Sequence, residues 1–326
     1  MHHPGRVVKY TRQPASSGGL AAVRSAVQYC LLLCLACIGS AVFAAPVNTD
    51  EVYTETLRIA HETALIRHSL GITTETQVTP ITADLLPRHN LAQSYVILEK
   101  VNFFRRQHRL PDASPTVIAP YLDLAPFNTW AETQRILTEL AIVKKWLDIP
   151  PEPEAIAPVS GKHPIDVFNR LRQISTDWNP LLGGGVLPAH VYSGATRLAE
   201  EARILLAHLG IADTTAPPAR NKDARPRDSL REVFAVLAEV QRLQEQIGVT
   251  PTDFSAFRKP EDVQPDDVLT MTALTLGELQ ILKAHIGLLQ NVTSARSYYP
   301  DKQPADVQQV VGYATNRLRL IRTLGR

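Results

Sequence analysis

The chain has 326 residues, 44% hydrophobic and 20% charged, a balance that allows a buried core and excludes a disordered or collagen-like polymer. Its 34 Lys+Arg against 32 Asp+Glu leave a formal charge of +2, too even for a basic nucleic-acid-binding stripe. Aromatics make up only 6%, and Leu, Ala, Val and Ile carry the apolar content, which favours packed helices over a β-sandwich.

The first element is a leader. Arg6, Lys9, Arg12 and Arg24 precede an apolar run from Ala26 to Phe43, and the sequence V-F-A-A-P follows. Small residues at Val42 and Ala44 predict a signal peptide over residues 1–45, cleaved after Ala44, and a periplasmic or secreted protein. The alternative is an uncleaved anchor, since about 18 apolar residues are the lower limit of a span. Only in that case is membrane contact expected. All three cysteines, Cys30, Cys34 and Cys37, fall inside this run, so the processed chain has no disulfide, thiolate metal site or Cys nucleophile. Losing four basic residues from 34 leaves 30 against 32 acidic ones, a net charge near −2.

Eight amphipathic helices follow, starting near residues 50, 89, 127, 164, 189, 227, 266 and 304. The helix from 189 is typical: Val191, Ala195, Leu198, Ala202, Leu205 and Leu209 recur at spacings of four and three along one face. Several starts share P-x-[D/H]-V, as in Pro164-Ile-Asp-Val, Pro188-Ala-His-Val, Pro265-Asp-Asp-Val and Pro304-Ala-Asp-Val. Proline costs nothing in the first turn, an acid there faces the positive end of the helix dipole, and valine opens the apolar stripe. Gly71, Gly210, Gly248 and Gly287 are placed to close helices in a left-handed conformation.

The starts recur at a nearly constant interval, broken only by one much shorter step between 164 and 189. Regular self-similarity of this kind predicts a helical repeat or bundle. A longer period lies over the short one. Sliding the chain along itself until Val52-Tyr53 meets Val191-Tyr192 also lays Leu70-Gly71-Ile72 on Leu209-Gly210-Ile211, and Lys144 on Lys283. The expected fold is therefore all-α, with two pseudo-symmetric four-helix halves, 46–187 and 188–326. The long connectors are compatible with parallel or antiparallel neighbours.

The same alignment pairs Glu62 with Glu201 and Glu139 with Glu278, giving one equivalent position in four alternate helices. These four glutamates are the candidate ligand-binding residues. A dinuclear metal site in a bundle needs Glu-x-x-His pairs. Here His208 and His285 stand two helical turns beyond Glu201 and Glu278, so no metal and no cofactor is expected. Pairing with arginines such as Arg106, Arg172, Arg242 and Arg319 is the plainer role. There is no H-E-x-x-H, no P-loop and no G-x-S-x-G elbow, and no enzymatic activity is expected. Asn291-Val-Thr293 matches a glycosylation acceptor. The first functional expectation is an exported scaffold or adaptor that binds another macromolecule, a protein or envelope component rather than nucleic acid. The alternative is a periplasmic sensor or carrier holding a small ligand between the two halves.

Overall fold

The computed structural model describes residues 46–113, 119–151, 156–259, 261–290 and 299–324. The expected leader with its three cysteines, and the expected acceptor sequence at 291–293, lie outside these residues. Among the described residues regular structure is helical throughout: α1 (Thr49–Ser69), α2 (Pro87–Gln107), α3 (Pro126–Trp146), α4 (Pro164–Asp177), α5 (Pro188–His208), α6 (Pro226–Gln246), α7 (Pro265–His285) and α8 (Pro304–Arg319). Short 3-10 turns occur at Pro180–Leu182 and Ser255–Phe257. No described helix is long and apolar enough to cross a membrane.

The repeated start signal has a specific geometry. In α2 to α8 proline is the first helical residue, and the third residue folds its side chain back to accept the N–H of the residue preceding the helix. His89, Asn128, Asp166, His190, Asp228, Asp267 and Asp306 do this at 2.8–3.0 Å. In α1 the arrangement is reciprocal: Glu51 accepts from Asn48 N–H at 2.9 Å, and the Asn48 side chain accepts from Glu51 N–H at 3.0 Å. The fourth residue then enters the core, as Val52, Val167, Val191, Val268 and Val307 do. Six helices end alike, with a left-handed residue whose successor donates its N–H five residues back, as Ile211 does to Leu206 O at 2.9 Å. Four of these left-handed positions are glycines, but α2 and α3 use Arg109 (φ 57°) and Asp148 (φ 55°).

The helices pack as two sets of four. In the first, α1 and α2 each pack against both α3 and α4; in the second, α5 and α6 each pack against α8, and both also contact α7. Within each set all four helices run in the same direction. Pro188, Pro226, Pro265 and Pro304, the four first residues of α5–α8, surround one small apolar hollow with Val191, Ser229, Val268 and Val307. The other ends of α5, α6 and α7 meet around a second hollow lined by His208, Gln246 and His285. In the first set Thr129 near the start of α3 bonds Pro87 O at the start of α2, while Arg105 and Glu139 pair near their ends. Likewise Asp50 of α1 accepts from Lys162 N–H just before α4, and Arg67 pairs with Asp177 at the far ends of these two helices.

Parallel neighbours require return connectors. A helix such as α1 is about 31 Å long, and the connector at 70–86 reaches about 56 Å when extended. It is tied along α4 by side chains one helical turn apart. Asn169 accepts from Ile81 N–H and donates to Ile81 O, each at 3.0 Å, Gln173 accepts from Val78 N–H at 3.2 Å, and Asp177 accepts from Thr76. In the second set Gln309 of α8 similarly holds Pro218 O at 2.8 Å, and Arg317 holds Asp213.

The sets run antiparallel to each other. Arg88 and His89 at the start of α2 reach Glu278 late in α7, and Lys100 late in α2 reaches Asp266 at the start of α7. Phe103 near the end of α2 stacks on His190 at the start of α5, with ring centroids 3.9 Å apart. The reversal lies at 178–187, where the connector is short because α5 begins beside the end of the first set. Gly183, Gly184 and Gly185 all take positive φ in this turn. Buried apolar side chains from all eight helices form one cluster, and α2 is buried on nearly every face.

The helix ends and the shared core can each be tested by stability. Asp148→Gly relieves a left-handed aspartate where four equivalent positions are glycine, and is expected to raise unfolding free energy by about 0.5–1 kcal/mol; urea denaturation measures it, and a loss of stability would contradict the helix-end assignment. Separate chains 46–187 and 188–326 are expected to melt below the intact protein, because each exposes the face that α2 and α7 share. Equal and equally cooperative melting of either piece would refute the shared core.

Candidate functional site

The four aligned glutamates meet their partners in a repeated geometry. Glu62 of α1 pairs with Lys144 of α3 at 2.6 Å, and Glu201 of α5 pairs with Lys283 of α7 at the same 2.6 Å. Glu139 of α3 pairs with Arg105 of α2. Glu278 of α7 departs from this pattern, because the residue equivalent to Arg105 is the neutral Gln244, which donates to Glu278 at 2.8 Å. Charge is supplied instead by Arg88 of the other set, whose Nε lies 2.7 Å from Glu278 Oε1, and His89 Nε2 donates to the same oxygen at 2.7 Å. Each glutamate is thus held by a basic side chain from a neighbouring helix. The arginines expected in this role serve elsewhere: Arg106 binds Asp112, Arg242 and Arg319 bind Glu239, and Arg172 donates to Thr79 O. Among the described residues no group of three or more metal-ligating side chains assembles.

Burial makes these pairs energetically consequential. Lys283 and Glu201 are both fully buried, with Gln280 donating to Glu201 at 2.8 Å and Gln290 O accepting from Lys283 at 2.7 Å. Such a pair adds little over an apolar isostere but is costly to break on one side. His89 carries its proton on Nε2, because Nδ1 accepts from Leu86 N–H at 2.9 Å. Burial lowers its pKa against the pull of Glu278. Burial, with the Arg106 and Lys100 charges, lowers His190 to about 4. Glu278 is held at about 2: burial alone would raise it, and the His89 hydrogen bond with the Arg88 guanidinium outweighs that.

A cleft of about 620 Å³ opens between the two sets. Its first-set wall is the connector at 77–82, Gln93 of α2, and Arg172, Ser175, Thr176 and Asn179 of α4 and its following turn. Its second-set wall is residues 256–257, 259 and 264 with Asp266, Asp267, Thr270 and Met271 of α7. The volume falls in the range of small-molecule sites.

The floor is pinned by Lys100. This lysine is fully buried, donates to Ser175 O and Asn179 Oδ1 at 2.8 Å each, and pairs with Asp266 at 2.7 Å. Asn179 Nδ2 completes the link by donating to Asp266 Oδ2 at 3.0 Å. Three elements from both sets are therefore joined at one ammonium. Burial lowers the Lys100 pKa, opposed by the Asp266 charge. At the rim Lys259 pairs with Asp267 at 2.7 Å.

Two atoms on residues lining the cleft are shut off from solvent and lack partners, as others do elsewhere in the protein. Gln93 is 1% exposed and its Oε1 accepts no hydrogen bond; Ser175 is 2% exposed and its Oγ makes none. Native proteins satisfy most such groups, and each one left alone costs about 1–3 kcal/mol. Neither residue was among the sequence candidates, although a signal exists. Gln93 and Lys100 lie two turns apart on one face of α2 with Ile97 and Phe104, a polar pair set into an apolar stripe.

Lys283→Met is expected to cost about 3 kcal/mol or more by stranding buried Glu201, while the double change with Glu201→Leu recovers most of it; chemical denaturation of both variants checks this. For pH, lowered histidine pKa values mean that the unfolded chain binds protons first. Stability should therefore be full above about pH 6.5 and decline below it, as unfolding lets His89 and His190 protonate. A further fall begins below about pH 4.5, as the Glu278 carboxylate loses its advantage toward pH 2. His190→Asn keeps the helix-start bond, as Asn128 does in α3, and should flatten the first decline in urea midpoints between pH 6.5 and 4. No family model, curated protein or solved structure matches the chain.

Proposed function

We propose that this protein is an exported binding protein for a small polar molecule, held without catalysis in the cleft between the two four-helix sets. The observation that carries the reading is the cleft itself, about 620 Å³ between the two sets, with Arg172 on its wall and no carboxylate among the described residues within ion-pairing distance of that guanidinium. A polar ligand there adds hydrogen bonds and a counter-charge to a guanidinium that donates to the Thr79 carbonyl. This favours the carrier or sensor reading over the scaffold. A stacked-repeat scaffold presents an extended face, whereas α2 here is enclosed by α7 and the second set within one unit, Val47–Arg326. The recurrence of the same four helix packings in both sets supports an origin by duplication of 46–187 and 188–326, with the ligand site arising where the copies meet. The basic and apolar leader supports export to the periplasm or beyond.

The test is mass spectrometry of small molecules released on denaturing protein purified from its native envelope, alongside a Thr270→Trp variant that fills the cleft. Release of one polar compound at near-equal ratio from the wild type, and its loss from the variant, is expected. Equal release from both, or recovery of a stoichiometric partner protein and no small molecule, would overturn the reading in favour of the scaffold.

A further inference from the structure

We infer that the cleft ligand is a small monocarboxylate that also carries hydroxyl or ammonium donors, an inference that rests on the cleft reading above. Charge and hydrogen-bonding capacity at the walls define what fits. Three cations approach the cleft, and two are matched: Lys100 by Asp266 and Lys259 by Asp267, each at 2.7 Å. Arg172 is the third. Among the described residues no carboxylate lies within ion-pairing distance of it, and its guanidinium donates through Nη1 to Thr79 O at 3.2 Å. A guanidinium offers five donors in a planar fork suited to the two oxygens of one carboxylate. A bound carboxylate would supply the missing counter-charge.

The sign and size of that charge are bounded by the neighbours. Asp266 and Asp267 act on Arg172 at longer range and both line the cleft. Two carboxylates beside one unmatched guanidinium favour a single negative charge and disfavour a phosphate dianion, which they would repel. The Asp266 and Asp267 carboxylates on the same walls accept hydrogen bonds and donate none, so a ligand that presents donors beside its carboxylate matches them. Hydroxy acids and amino acids share this chemistry. A neutral sugar can donate to Asp266 and Asp267 but leaves Arg172 uncompensated.

The test is calorimetric titration and thermal-shift measurement of the mature protein with D-gluconate, L-glutamine, D-glucose and inorganic phosphate, repeated with Arg172→Met and Arg172→Lys. The expected result is binding of gluconate (the hydroxy-acid source) or glutamine (the amino-acid source), weakened about tenfold or more by Arg172→Met and partly retained by Arg172→Lys. The unliganded melting temperature should hardly move, because Arg172 is tied only to a carbonyl. Glucose binding that Arg172→Met leaves unchanged would overturn the carboxylate inference and leave the cleft reading standing. Phosphate binding tighter than either carboxylate would overturn it too. No binding of any of the four, with the Thr270→Trp variant indistinguishable in thermal shift, would remove the cleft reading itself.

Discussion

Helices packed side by side in the same direction bring their positive dipole ends together, and they force the chain to travel back a full helix length before starting the next one. Both consequences are visible here. At each helix start an acid, amide or imidazole at the third position accepts the preceding N–H, and in five helices that residue is Glu51, Asp166, Asp228, Asp267 or Asp306, a negative charge set at the positive end. Each return within a set takes a connector nearly as long in sequence as the helix before it, as 70–86 follows α1. Helix plus return makes one repeating unit, so the sequence period is itself a product of parallel packing.

The returning connectors do more than close distances. The segment at 70–86 lies against Asn169, Gln173 and Asp177, whose spacing of one turn keeps them on one face of α4. Backbone groups with no strand partner are thereby paired with side chains, as buried or half-buried backbone requires. Part of this connector forms one wall of the cleft, and the turn at 255–257 between α6 and α7 contributes to the opposite wall. The proposed ligand site is thus made from the parts of the chain that parallel packing obliges to exist.

Where the sets meet, the repeat is broken. Glu139 is neutralised within its own set by Arg105, whereas its counterpart Glu278 faces the uncharged Gln244 and draws on Arg88 and His89 of the other set. Lys100 makes the opposite connection, from α2 to Asp266. Two buried charges, one in each set, each need a partner from across the interface. Removing a partner leaves a charge in a low-dielectric interior, which resists separation of the sets more strongly than apolar contact alone.

Much of the local structure is legible in the sequence. Proline at the first helical position, the polar third residue, the core-facing valine and the closing glycine are short-range chemistry, satisfied within a turn or two of chain, so eight helices and their limits can be read directly. The aligned glutamates are legible as well, because equivalent positions in a repeat have equivalent surroundings. Their partners are not: Lys144, Arg105, Lys283 and Arg88 are distant in sequence, and which of many cations arrives depends on helix direction. Direction is the undecided quantity, since a connector such as 70–86 is long enough for either choice and its sequence carries no polarity signal. Only the shortened step between α4 and α5 marks the reversal. Tertiary packing decided that the sets oppose each other, and with it that Gln93, Arg172 and Ser175, unremarkable on their own helices, share one cleft.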